Sequence, residues 1–459
     1  MLFLRTYARS YLERSDNMRI RTVRSSVVTA CVAACAFHAH AAHAQPQPLS
    51  NAADSATSAR RLVSTGVAVL RTGDTASAHR SLVSATEVWP TQPAYLWTRA
   101  RTAALAHDTA DVVTALTRYA ALGASRPLAG DPVLGSLAAD PRLRIVSAAL
   151  ATNGAPLVRS TTHATLADST IWPEGVTYDA GRKRYFVGSV RHRTVYVHDA
   201  SGTRPLWTGV RRDVGAVLGV HIDPDGMHLW ATTAGIPQMA GYTPADSAIA
   251  ALLKVRIADG VIVSRWDLPL SAAGHTLGDV AVSATGDVFT SDSREPVLYR
   301  LRPGKLVLEA YRDPLFRSLQ GVAPAPDGRA VYVADYSHGL LRLDLTTGAV
   351  TRLADAPSST SLGVDGLVWY HGSLIGVQNG VTPPRIVRFR LDAAGSRIVE
   401  QEVLDRNTGV ADEPTIGVIV GQRYVYVANS QWDKHDDDGT RVPGTALAPA
   451  LLLAIPLRR

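Results

Sequence analysis

Cysteine is nearly absent: Cys31 and Cys35 are the only two in 459 residues. That excludes a disulfide-built scaffold and a multi-cysteine zinc module. Long hydrophobic runs are scarce beyond the first 44 residues, and none approaches the ~20 apolar residues a membrane helix needs. Charge of one sign is not concentrated. There are 47 Lys and Arg against 40 Asp and Glu, a formal +7, and the arginines lack aromatic interleaving. A solvated surface explains them better than nucleic-acid binding. The G-x-S-x-G elbow, H-E-x-x-H, the phosphate loop and G-x-G-x-x-G are missing as well. What the chain does have is 46% hydrophobic residues, too many for a disordered polymer, and length for about two to four domains.

The basic excess starts in a leader. Met18 opens the cationic stretch MRIRTVR, followed by the apolar SSVVTACVAACAF and by Ala42-His43-Ala44. That is the layout of a secretory signal ending in a small-residue cleavage site, with Met1–Asn17 as an upstream extension. Residues 1–44 hold six arginines against Glu13 and Asp16, so 47 less six leaves 41 bases and 40 less two leaves 38 acids, a formal +3. Both cysteines go with the leader. Val32-Ala33-Ala34-Cys35 offers a lipoprotein box as the lesser alternative. The mature protein is expected to be exported, periplasmic or secreted, with no transmembrane helix.

Residues 45–156 read as an α-helical domain. Ala59, Leu62, Val63, Val67 and Leu70 fall on one helical face, and Asp74 stands at an N-cap before ASAHRSLVSA. RTGDTASAHRSL is echoed by LAHDTADVVTAL, with Asp74 and Asp108 34 residues apart. The period resembles tetratricopeptide hairpins, against an unrelated α-hairpin bundle. Two repeats are too few for independent stability, so the segment is expected to lean on the C-terminal part of the chain.

Residues 157–459 change to short alternating runs with Gly, Asp and Pro at turns. Six copies of one hairpin recur: WPEGVTYDAGRKRYFVGSV, VLGVHIDPDGMHLWATTA, LGDVAVSATGDVFTSDS, LQGVAPAPDGRAVYVADYS, VDGLVWYHGSLIGVQNG and EPTIGVIVGQRYVYVANS. Their opening positions are Glu174, Leu218, Gly278, Gln320, Asp365 and Pro414. Strand units at this spacing predict a mainly β, six-bladed β-propeller behind the helical domain; a two-sheet sandwich does not explain six copies.

In an antiparallel hairpin the first strand's start and the second strand's end share one edge. The sequence therefore gathers Glu174, Asp279, Asp292, Gln320, Asp335, Asp365, Gln378 and Asn429 on one face around the axis. A set of oxygen donors suits calcium first, with magnesium or manganese as alternatives. The competing reading is turn capping, the ordinary work of Asp and Asn at strand ends. Insertions in the second and last blades, AGIPQMAGYTPADSAIA and SQWDKHDDDGTRVPGTA, are expected to rise from that face as walls or a lid. They bring Gln238, Met239, Tyr242, Trp432 and His435 to its rim. Asp433–Gly439 reads as a solvated loop, lacking calcium-loop spacing. His221 reads as a buried, satisfied histidine, and His275 as a weak candidate for proton transfer.

The propeller resembles the regucalcin/gluconolactonase (senescence marker protein-like) family of six-bladed, metal-dependent lactonases. Glu174 in PEGV resembles that family's first metal ligand, Asp365 in VDGLVW its ligand and general base, and Gln320 stands where the family has asparagine. The family's substrate-holding Arg-x-Asn is replaced by Thr276-Leu277-Gly278 before Asp279. The resemblance implies a divalent cation on Glu174, Gln320 and Asp365, and hydrolysis of a lactone or small ester with Asp365 catalytic. Asp279, Asp292, Asp335, Gln378, Asn429, Tyr242 and Trp432 would line the pocket. The alternative is a non-catalytic, NHL-like propeller that binds a peptide, glycan or periplasmic protein partner.

Overall fold

The computed structural model describes residues 51–209 and 211–458. The proposed leader and both cysteines lie outside the described residues. Among these residues, no helix is long and apolar enough to cross a membrane.

Helices α1 (Asn51–Arg71) and α2 (Thr75–Val88) form one hairpin, α3 (Pro93–Leu105) and α4 (Thr109–Ala121) a second, and α5 (Arg144–Gly154) comes next. The predicted cap at Asp74 is present, and its repeat partner Asp108 caps the corresponding helix. Asp74 accepts from Ser77 N–H and Asp108 from Asp111 N–H, each at 2.9 Å, satisfying an otherwise orphaned helix donor. Of the predicted face, Ala59 and Val63 are fully buried, while Leu62, Val67 and Leu70 are only partly covered.

The rest of the chain forms six four-stranded antiparallel sheets. The innermost strands are Pro173–Asp179, Ala216–Ile222, Leu277–Val282, Leu319–Pro324, Leu367–Tyr370 and Gly417–Val420, and we number the blades in that order. Each innermost strand contacts the next, and the sixth returns to the first, so the ring closes. All six predicted hairpins form the inner two strands of a blade. The sixth blade takes its outermost strand from the N-terminal side: Thr161–Leu166 pairs antiparallel with Ala450–Pro456. Cores of Val, Leu, Ile and aromatic side chains fill the spaces between neighbouring blades.

The helical domain does lean on the propeller. Arg385, almost wholly buried, donates to the carbonyls of Leu122 (3.1 Å) and Gly123 (2.9 Å), just past α4. Arg406 donates to the Thr152 and Ala155 carbonyls at the end of α5, and Asn407 to Gly154. Guanidinium groups there meet the negative ends of two helix dipoles and the carbonyls that helices leave unsatisfied. Farther along, Arg60 reaches His338 and the Ser337 carbonyl, and Arg352 lies 4.9 Å over the Trp89 ring. These propeller residues belong to the outer strands of blades 4 and 5 and to the loops after second strands or between blades, on the edge where the axial residues sit.

Candidate functional site at the propeller axis

The site originates in an irregularity repeated around the ring. In blades 1 to 4, the last pair of the first two strands before an irregularity is Pro173↔Ser189, Val217↔Thr233, Leu277↔Asp292 and Leu319↔Asp335. Pairing then shifts, and resumes at Val176, Val220, Val280 and Val322. Two residues thus oppose one, the definition of a β-bulge, which re-aims side chains. In blades 5 and 6, Val377 bonds both Asp365 N–H and the Gly366 carbonyl, and Val427 both Thr415 N–H and the Ile416 carbonyl. The first bulge position around the ring is therefore Glu174, Leu218, Gly278, Gln320, Asp365 and Thr415. In blade 6 this moves the expected Pro414 by one residue.

The second bulge position is Gly175, Gly219, Asp279, Gly321, Gly366 and Ile416. Its glycines are sterically required. A β-carbon on Gly175 would lie 2.5 Å from the Leu218 carbonyl oxygen, and one on Gly366 2.6 Å from that of Thr415. Blade 3 departs from this order with Gly278-Asp279, so an acid enters the seam between blades. Asp279 accepts from its neighbour Val280 N–H (2.8 Å) and from Val322 N–H of blade 4 (3.0 Å).

Three carboxylates are thus buried near the axis. Glu174 accepts from the Trp432 indole N–H at 2.6 Å and is 4% exposed. Burial first, then the negative charge of Asp365, pushes its carboxyl up to about 8; the Trp432 bond partly offsets this. Burial likewise pushes Asp279 up to about 7, against its two backbone donors and with Asp365 adding to the rise. Asp365 accepts from Asn379 Nδ2 at 2.8 Å. Gln320 Nε2, Asn379 Oδ1 and the Tyr424 hydroxyl are buried without a hydrogen-bond partner. Tyr424 comes from the second strand of blade 6, passes against Gly417, and feels the charges of Asp279 and Asp365, which with burial raise its pKa.

The second-strand residues behave differently. Asp292 accepts from Thr276, Arg294 and Glu295 N–H groups, and Asp335 from those of Arg317, Ser318, Ser337 and His338. Gln378 donates to the Thr360 and Leu362 carbonyls and accepts from Arg385. Asn429 bonds the Pro449 carbonyl and Leu451 N–H. All four hold the loops of their own blades, which is the capping role. His275 has both ring nitrogens engaged, with Asp292 (2.5 Å) and the Pro269 carbonyl (2.8 Å), leaving none for proton transfer. His221 is satisfied as expected, by the Ile222 carbonyl at 2.8 Å, but its ring is only partly buried.

The two insertions meet beside the axis. Gln238 donates to the Asp437 carbonyl, and Arg191 to that of Gln238. Trp432 and Trp172 pack edge to face, His435 stacks on Trp172 at 3.9 Å, and Met239 and Tyr242 join the same cluster. Trp432 therefore links this cap directly to Glu174. Asn379 and Tyr424 were not among the expected residues. Asn379 had a signal, its place immediately after Gln378; Tyr424 had none, because it reaches the axis only across a glycine of the partner strand.

Fold and site define a six-bladed propeller with a buried, acidic, oxygen-rich axial site. No family model matches the chain, and no curated protein matches it. Among solved structures it is similar to virginiamycin B lyase from Staphylococcus aureus, at 11% identity and a TM-score of 0.41 over 64% of this chain and 98% of that one. A streptogramin B lyase matches at 11% and 0.41, over 64% and 97%. A nidogen/laminin complex matches at 13% and 0.37, over 50% and 79%. At these scores the likeness carries no argument about activity.

Proposed function

We propose that this chain is an exported, regucalcin/gluconolactonase-like propeller that binds a divalent cation at its axis and hydrolyses a lactone or small ester. The observation that carries this reading is the placement of Glu174, Gln320 and Asp365 at one bulge position of three blades. The donors fit the group chemically: two carboxylates and an amide carbonyl are hard oxygen ligands, which suit calcium, magnesium or manganese. Among the described residues no three His, Cys, Asp or Glu side chains gather as a metal shell, so the amide of Gln320 is integral to the proposed set.

A bound cation would supply polarisation of the ester carbonyl and acidification of a water. Asp365, oriented by Asn379, takes the proton from the attacking water as general base. Glu174 is held in place by Trp432, and the cap of Trp172, Trp432 and Met239 excludes bulk water from that side. Tyr242 contributes to the outer part of the same wall. The helical hairpins, with their 34-residue period, are proposed to be tetratricopeptide-like.

A lactonase and esterase screen of the mature chain with calcium, and again with EDTA, tests this. Activity lost on chelation and reduced at least ~100-fold in Asp365→Ala is expected; activity indifferent to both removes the metal mechanism. The second reading, a non-catalytic module gripping a peptide, glycan or protein partner, is favoured by one observation. Thr276-Leu277-Gly278 offers no side chain like the family's substrate-holding Arg-x-Asn. A stoichiometric partner on pull-down, with no hydrolysis, would select it.

A further inference from the structure

The loop that carries Asn379 is held from outside the propeller. Residues 379–384 join the second and third strands of blade 5, and Asn379 opens the loop. Its Nδ2 donates to Asp365 Oδ2 at 2.8 Å and to the Pro414 carbonyl of the next blade at 2.9 Å. Both amide hydrogens are thereby used. Asn379 Oδ1 is buried without a hydrogen-bond partner, so no contact on that side orients the amide. Its direction follows from where the loop backbone stands.

That backbone is gripped by the segment just past α4. Ser125 N–H donates to the Thr382 carbonyl at 2.8 Å. Arg385, at the far end of the loop, donates to the Leu122 and Gly123 carbonyls and, through Nε, to Gln378 at the near end. Arg385 and Gln378 thus close the base of the loop, and carbonyls of the helical domain complete the guanidinium. The approach is close. Gly123 has φ +71°, and a β-carbon there would lie 2.5 Å from Arg385 Nη1, so conformation and contact both require glycine. On the propeller side, Gly380 N–H bonds the Gly363 carbonyl at 3.0 Å. The loop is pinned between the two domains. Arg406, by contrast, directs its donors to the Thr152 and Ala155 carbonyls at the end of α5.

We propose that the helical domain is a positioning device for the axial site: through Ser125, Gly123 and Arg385 it fixes the loop 379–384, and Asn379 thereby sets the Asp365 carboxylate. This rests on the proposed function, in which Asp365 holds the cation, and adds to it a control that reaches the axis from the second domain. Gly123, Arg385 and Asn379 are positioning residues that act through Asp365. A partner that orients a ligating carboxylate is typically worth ~10–100-fold in metal affinity.

Calcium affinity of the mature chain by calorimetry, together with amide hydrogen exchange at residues 379–382, tests this path. Asn379→Ala should weaken calcium binding at least ~10-fold. Gly123→Ala, a change confined to the helical domain, should weaken it at least ~3-fold, part of that full effect, and speed exchange at 379–382. Arg406→Met loosens α5 instead. Urea titration should register both docking variants, while calcium affinity in Arg406→Met stays within about twofold, as for an independent site. In the Asn379→Ala background, Gly123→Ala should weaken calcium no further, the non-additivity of one linked path. Calcium affinity unchanged in Asn379→Ala or Gly123→Ala, equal losses in Gly123→Ala and Arg406→Met, or additive losses in the double variant overturn the positioning role. Wild-type protein that binds no calcium overturns the cation reading instead. Exchange then decides the link between the domains: faster exchange at 379–382 in Gly123→Ala, and not in Arg406→Met, supports it, and unchanged exchange overturns it.

Discussion

At the scale of single residues, the axial site is a set of carboxyl groups held against their preference. Glu174 carries a folded-state pKa of about 8, far above the ordinary carboxylate range, and Asp279 one of about 7. A raised acid binds its proton more tightly in the folded chain than in the unfolded one. Its contribution to stability is full below the ordinary carboxylate range and is lost as pH climbs to about 8. The cation-free protein is therefore expected to show a falling Tm from pH 5 to pH 8 in EDTA. Glu174→Gln should flatten much of that fall in a differential scanning experiment. Calcium bound at the proposed site would compete with the proton on Glu174, so its affinity should rise with pH by up to about tenfold per unit below 8. A pH-independent affinity would count against Glu174 as a ligand. That Glu174, Gln320 and Asp365 share one position of their blades was legible in the sequence, because they open repeated hairpins. The residues at the other strand ends looked equivalent there, since a polar group closing a strand reads the same whether it caps a loop or faces a ligand. Pro414 stood one residue off because a bulge has no spacing signature when the repeat around it is irregular.

At the scale of elements, the bulge and the two arginine clamps shape the site. The bulge was not legible, though the hairpins were, because hydrophobic alternation survives around two residues opposing one. That the helices lean on the propeller was legible from their having only two repeats, but the residues that dock them were not, because the partners are separated by more than two hundred residues. Arg385 is the central case: its guanidinium holds the end of α4, while its Nε donates at 2.7 Å to Gln378, the neighbour in sequence of Asn379. Asn379 in turn holds Asp365. Burial lowers the Arg385 pKa to about 10, so it remains charged at neutral pH and draws its compensation from helix carbonyls. Arg385→Met keeps much of the apolar stem but leaves those carbonyls buried and unsatisfied. A loss of about 2–4 kcal/mol is expected by urea titration, with faster proteolysis between α4 and α5. Unchanged stability and protease resistance would show that the clamp is dispensable.

At the scale of the whole molecule, the six hairpins predicted the ring, but nothing local predicted how it closes. The propeller completes blade 6 with Thr161–Leu166, a strand that precedes blade 1 in the chain. Leu166 pairs with Ala450, is fully buried, and packs with Ile171, Val176 and Val187 of blade 1 and Val425, Val427 and Leu452 of blade 6. Its side chain thus joins the two ends of the ring through one core. The same connection runs on to the site. Thr415 Oγ1 of blade 6 donates at 2.8 Å to the Glu174 carbonyl of blade 1, so the seam closed by Leu166 on the outside is the seam beside Glu174 at the axis. Leu166→Ala removes three carbons from that core and should cost about 2–5 kcal/mol. Because the seam is shared by both ends, the loss should lower the whole propeller's unfolding midpoint, with far-UV and near-UV circular dichroism changing together. A separate early transition, with five blades persisting, would mean instead that the closing strand is an independent clasp. In that case opening blade 6 would also release Trp432 from Glu174 before the fold is lost, and tryptophan fluorescence would move ahead of the far-UV signal.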